Sequence, residues 1–125
     1  MSDPTHDATI TDALTQVSGE RLQENLFALS KSPLPMRKLN HHRPGESRSS
    51  LDEADAYIQS NLESCGYDVT REPVQVQAFR CDETKPKASQ YSRPEPEDPW
   101  YTAENLYAER TGSTDPADIV LLLAH

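Results

Sequence analysis

Apolar positions along this chain fall into a few short clusters set in long polar stretches. The first sixteen residues, MSDPTHDATITDALTQ, are polar and rich in Thr and Asp, and they read as a flexible tail. In VSGERLQENLFALSK, Leu22, Leu26 and Leu29 recur at i, i+4 and i+7, which predicts a helix. Ser18 is its expected N-cap, with Val17 and Leu22 placed for a hydrophobic staple, and Pro33 and Pro35 stop it. A basic, turn-rich connection, MRKLNHHRPGESRS, leads to a second amphipathic segment. There Leu51, Ala54, Ile58, Leu62 and Cys65 form an apolar stripe. Ser50 with Glu53 reads as the capping box, and Gly66 as the C-terminal stop.

Beyond Gly66 the period shortens to two. Val69, then Val74, Val76 and Ala78, predict a half-exposed strand, restricted to an edge by Pro73. Residues 80–101 hold four prolines and many charges with no usable period, and read as an acidic, Pro-rich inserted loop. TAENLYAER predicts another strand, and Asp115 belongs to the polar turn after it. Residues 119–124, IVLLLA, are apolar without alternation, the pattern of a strand covered on both faces. The expectation is an α/β fold of two helices and about three strands, with a tail over 1–16 and one domain piece over 17–125. Its sheet is unfinished, because a doubly covered strand needs more neighbours than these segments supply.

Composition narrows the function. Leu, Ile, Val and Phe make up about 18% of the chain, under the roughly 20% at which disorder becomes a concern. The core is therefore expected to be thin. A net charge of −9 argues against nucleic acid and against an anionic membrane surface as partners. No run approaches the ~20 apolar residues of a membrane span. As written, the N-terminus carries no basic and apolar leader, so a cytoplasmic location is expected, or secretion if the true start lies upstream. Cys65 and Cys81 are too few for a disulfide framework and are expected as free thiols, Cys65 as a small core residue.

Little in the chain carries chemistry by itself. His125 would sit at the carboxyl end of the expected central strand, where open α/β sheets gather ligands. Neutral imidazole is a common zinc ligand, but a catalytic zinc needs about three protein ligands. His41 and His42 are adjacent, so they point different ways, and they read as an exposed loop pair; His6 lies in the tail. There is no phosphate loop, nucleophile elbow or H-E-x-x-H helix.

The ordered combination does resemble a known family. LQENLFALSK, the Arg- and Gly-containing connection and LDEADAYIQSNLESCGYDV are similar to the amino-terminal part of the di-zinc aminopeptidases. Aminopeptidase Y belongs to that family, and glutamate carboxypeptidase and glutaminyl cyclase are related to it. AENLYAERTGSTDPADIVLLLAH resembles the family's N-v-i-A-e-x-x-G … v-v-l-x-A-H strand pair through Asn105, Ala108, Gly112, Ala124 and His125. The likeness covers residues 18–79 and 103–125 and skips the Pro-rich insert. It implies the front part of a mixed-sheet zinc-exopeptidase (phosphorylase/hydrolase-like) fold, with His125 as the first zinc ligand. It also implies a complete enzyme that holds two zinc ions and cleaves peptides at their amino terminus. The family's bridging Asp, Glu-Glu pair, further acidic ligand and second His would all lie downstream, so this piece alone is expected to be inactive. Its expected partners are a complementing carboxyl-terminal half, or further copies of itself through exposed sheet edges. Two alternatives are a non-enzymatic interaction domain on the same fold, and a glutaminyl-cyclase-like acyltransferase.

Overall fold

The computed structural model describes residues 4–115 and 117–124, with side chains from Ala8 onward. The chain divides into two compact units at Met36–Arg37. In the first, the segment read as a polar tail is helical: α1 spans Pro4–Thr15. Proline suits a first helical turn, where its missing N–H would have no partner anyway. Ile10, Leu14 and Val17 keep helical spacing, yet each stays more than half exposed. Helix α2, Gly19–Ala28, begins where the sequence places it, with Ser18 Oγ accepting the Arg21 N–H at 3.2 Å. The expected staple is not buried, since Val17 and Leu22 are both more than half exposed. After α2 the chain folds back, Leu34 N–H reaching the Ala28 carbonyl at 3.0 Å, and Leu34 is buried.

The second unit is organised by α3, Ser50–Ser64. Its start lies one residue earlier than the sequence reading. Ser49, not Ser50, is the N-cap, and its Oγ accepts the Asp52 N–H at 3.1 Å while Asp52 accepts the Ser49 N–H at 3.2 Å. That reciprocal pair satisfies two of the helix's orphan donors and leaves Ser50 and Glu53 for other work. At the other end Gly66 takes φ +82. Gly66 N–H bonds Glu63 and Tyr67 N–H bonds Leu62, the paired closure of a Schellman motif. Cys65, expected in the core, is the exposed C-cap. Burial along the stripe ends at half-buried Leu62, three residues before it.

Helix α3 packs on a two-stranded antiparallel sheet of β1 (Asp68–Gln77) and β4 (Trp100–Glu109). The register runs without a break from Asp68↔Glu109 to Gln77↔Trp100. Pro73 is tolerated because both strands of a two-stranded ribbon are edges. Between them, the insert is not a shapeless loop. It forms a second ladder of β2 (Arg80–Cys81) with β3 (Tyr91–Ser92) and a 3-10 turn at Lys87–Ser89. Arg80 grips Asp98 with two hydrogen bonds of 2.6 and 2.9 Å, and Gln77 Nε2 donates to the carbonyls of Glu95 and Asp98.

The expected central strand is corrected. Residues 119–124 form no ladder and lie exposed, Ile119 through Leu123 at 74–89%. A strand buried on both faces needs a sheet edge beside it and cover above and below. Among the described residues the segment pairs with no strand and has no cover. Helices and strands are mixed along the chain, as the α/β reading requires, but both ladders are antiparallel rather than mixed. The thin core is as expected: Leu34 and Ala54 are the fully buried apolar side chains among the described residues.

Candidate functional site

Polar burial is concentrated at the start of α3. Ser50, 1% exposed, faces back onto the preceding connection. Its Oγ accepts the Lys38 N–H at 3.0 Å and donates to the Lys38 carbonyl at 3.3 Å. Ser50 N–H in turn bonds the His41 carbonyl at 2.7 Å. One helical residue thus pins residues 38–41 into a fixed wall. Glu53, one turn on, is buried and held by Arg43 through both carboxylate oxygens, one contact being Arg43 Nε to Glu53 Oε2 at 2.8 Å. That fork-to-fork pair lowers the Glu53 carboxyl below the usual carboxylate range, the hydrogen bonds to Arg43 outweighing desolvation.

A second cluster joins α3 to the sheet. Arg71 on β1 donates through Nε to Gln59 at 2.6 Å and pairs through Nη1 with Glu104 of β4. Asp55 lies nearby on α3, 8% exposed, with its Oδ2 lacking any partner. Desolvation raises its carboxyl above the ordinary aspartate value, helped by the charges of Asp52 and Glu104 and opposed by Arg71. On the sheet, Glu72 accepts hydrogen bonds from Asn105 at 3.1 Å and the Tyr107 hydroxyl at 2.7 Å. Those bonds, Asn105 first, lower the Glu72 carboxyl.

Beside the pinned wall opens a groove of about 670 Å³. Leu39 and Leu51 line one side, Ala78, Phe79 and Tyr91 the other, and Arg37, Lys38 and Cys81 also face it. The Lys38 ammonium lies 5.5 Å from the centre of the Tyr91 ring. Sequence reasoning did not anticipate this groove, because its walls come from four separate segments of the chain, around residues 37–40, 51, 77–81 and 91. The one local hint is the exposed aromatic at Phe79, next to a strand end.

His125, the metal ligand implied by the resemblance, lies outside the described residues, as does the His6 side chain. Among the described residues, no group of three or more His, Cys, Asp or Glu side chains is placed to hold a metal. His42 is exposed, as expected of a loop histidine, and its Nδ1–H donates to the Arg48 carbonyl at 3.0 Å. His41 is half-buried instead, and its Nδ1 is buried without a partner. Asp115 serves its turn as read, its Oδ1 accepting the Ala117 N–H at 3.2 Å. Both cysteines are free and exposed. No described helix is long and apolar enough to cross a membrane. No family model, curated protein or solved structure matches the chain.

Proposed function

We propose that this chain is the amino-terminal part of a di-zinc aminopeptidase domain and contributes His125 as one metal ligand. The observation that supports the reading is where the family likeness breaks off. It skips residues 80–102. Residues 80–99 of that gap are an excursion with a ladder of their own. The strands on either side, Asp68–Gln77 and Trp100–Glu109, pair in unbroken register under α3. An insertion at the tip of a two-stranded unit leaves that unit intact, which is the form a family member with an added loop would take.

Bound zinc would supply an activated water and polarise the scissile carbonyl. This chain's own share is structural: Ser50, Arg43–Glu53 and Arg71–Glu104 fix the helix and strands that precede His125. Alone, the chain is expected to show no hydrolysis of aminoacyl-4-nitroanilides above a metal-only control; saturable turnover would sink the assignment. The positive test joins residues 1–125 to the catalytic remainder of a di-zinc aminopeptidase and compares the folded chimera with its His125→Ala variant. Loss of bound zinc and a fall in rate of about tenfold or more is expected, a ligand's removal costing over ~1.4 kcal/mol of transition-state stabilisation. A variant with full zinc content and activity would overturn it.

One observation favours a second reading, a non-enzymatic interaction domain: Ile119–Leu123 is an exposed aliphatic run ready for a partner. The nucleotides after codon 125 separate the two. Asp two codons on, followed downstream by a Glu-Glu pair, fits the peptidase and not the interaction domain.

A further inference from the structure

We propose that the groove between the 37–40 wall and the 77–81 and Tyr91 side is a binding site for a small amphipathic carboxylate, an acyl or branched aliphatic body bearing one negative charge. This goes beyond the peptidase reading and does not depend on it. The body of the site is apolar, from Leu39, Leu51, Ala78, Phe79 and Tyr91, and its volume of about 670 Å³ is that of a small-molecule pocket. Its charged lining is of one sign, Arg37 and Lys38, with no carboxylate among the lining residues. Neither cation is in an ion pair among the described residues, although the chain carries 21 acidic residues. Ser50 holds the Lys38 backbone, and the Lys38 ammonium lies 5.5 Å from the centre of the Tyr91 ring, which puts its charge at the groove's own wall.

The charge of the whole chain selects among anions. At −9 it repels polyanions over a Debye length, so nucleotides and polyphosphates are disfavoured. A single carboxylate suffers little from that field and gains a charge-assisted bond locally, while the apolar body supplies the rest by burial.

The two thiols make the test internally controlled, because Cys81 lines the groove and Cys65 caps α3, both exposed. The whole chain is alkylated with iodoacetamide under rising decanoate, kept below micelle formation, and each cysteine is followed by mass spectrometry. Decanoate is expected to slow Cys81 several-fold and leave Cys65 unchanged. Decan-1-ol, the same body without the charge, should need about tenfold more for equal protection, the worth of a charge-assisted bond of at least ~1.5 kcal/mol. Arg37→Gln with Lys38→Gln should abolish that difference, with circular dichroism unchanged because the main-chain bonds of Lys38 to Ser50 remain. Equal protection by the alcohol, equal slowing of both cysteines, or an unaffected double variant would each overturn the proposal. So would stronger protection by a peptide of residues 118–123, Asp-Ile-Val-Leu-Leu-Leu, which would make the groove a docking site for the chain's own aliphatic run.

Discussion

Replacing Ser50 by Ala removes one oxygen from the most deeply placed side chain of α3. The hydroxyl accepts the Lys38 N–H at 3.0 Å and donates to the Lys38 carbonyl at 3.3 Å. After the change the carbonyl keeps the Leu51 N–H at 3.4 Å, but the Lys38 N–H has no remaining acceptor. A methyl nearly fills the space of a hydroxyl, so the cavity contribution is small and the cost is that of one orphaned donor, about 1–3 kcal/mol. With urea slopes of about 1–3 kcal/mol/M, the unfolding midpoint should fall by about 1 M. Trp100, the single tryptophan, lies on β4 in the same unit as Ser50 and reports the transition by fluorescence. Ser60→Ala, at an exposed site on the same helix, is the matched control and should change stability by less than about 0.5 kcal/mol. If Ser50→Ala costs no more than Ser60→Ala, the wall of residues 38–41 is not held by this hydroxyl.

Asp55→Asn should show a pH-dependent gain. Because the folded-state pKa is raised above the ordinary aspartate value, the acid's contribution to stability is fully present below about pH 3.9 and is lost as pH rises through the raised pKa. The asparagine variant should therefore gain on the parent between acid and neutral pH in urea melts, and a pH-independent difference would refute the assignment. Gly66→Ala meets no atom within 4 Å, so its cost is the left-handed backbone alone, about 1–2 kcal/mol by thermal or urea melts. Gly66→Asn should lose less. Leu122, 89% exposed, gives Leu122→Glu no folded contact to lose. Light scattering should then show less self-association at unchanged stability, and a parent that is monomeric at high micromolar concentration would remove the premise.

What could be read from the residues was local. The cap at Ser18, the stop at Gly66, the strand through Val74 and Val76, and the turn at Asp115 each depend on atoms within a few positions of one another, so the sequence alone implies them. The helix at Pro4–Thr15 was legible too, in Pro4 and the Ile10, Leu14, Val17 spacing, but the polar composition around them hid it. Where two serines stand side by side, local rules no longer decide. Ser49 caps and Ser50 is buried because residues 38–41 return to the helix start and occupy one hydroxyl, and Arg43 claims the Glu53 that would otherwise have closed the box. Tertiary contacts also decided the groove, whose walls are brought together by that return and by the β2–β3 ladder. The aliphatic run at 119–123 is the plainest case. Its pattern states a preference for cover on two faces, which the residues carry in themselves, but burial is a relation to a surface, and among the described residues no surface meets it.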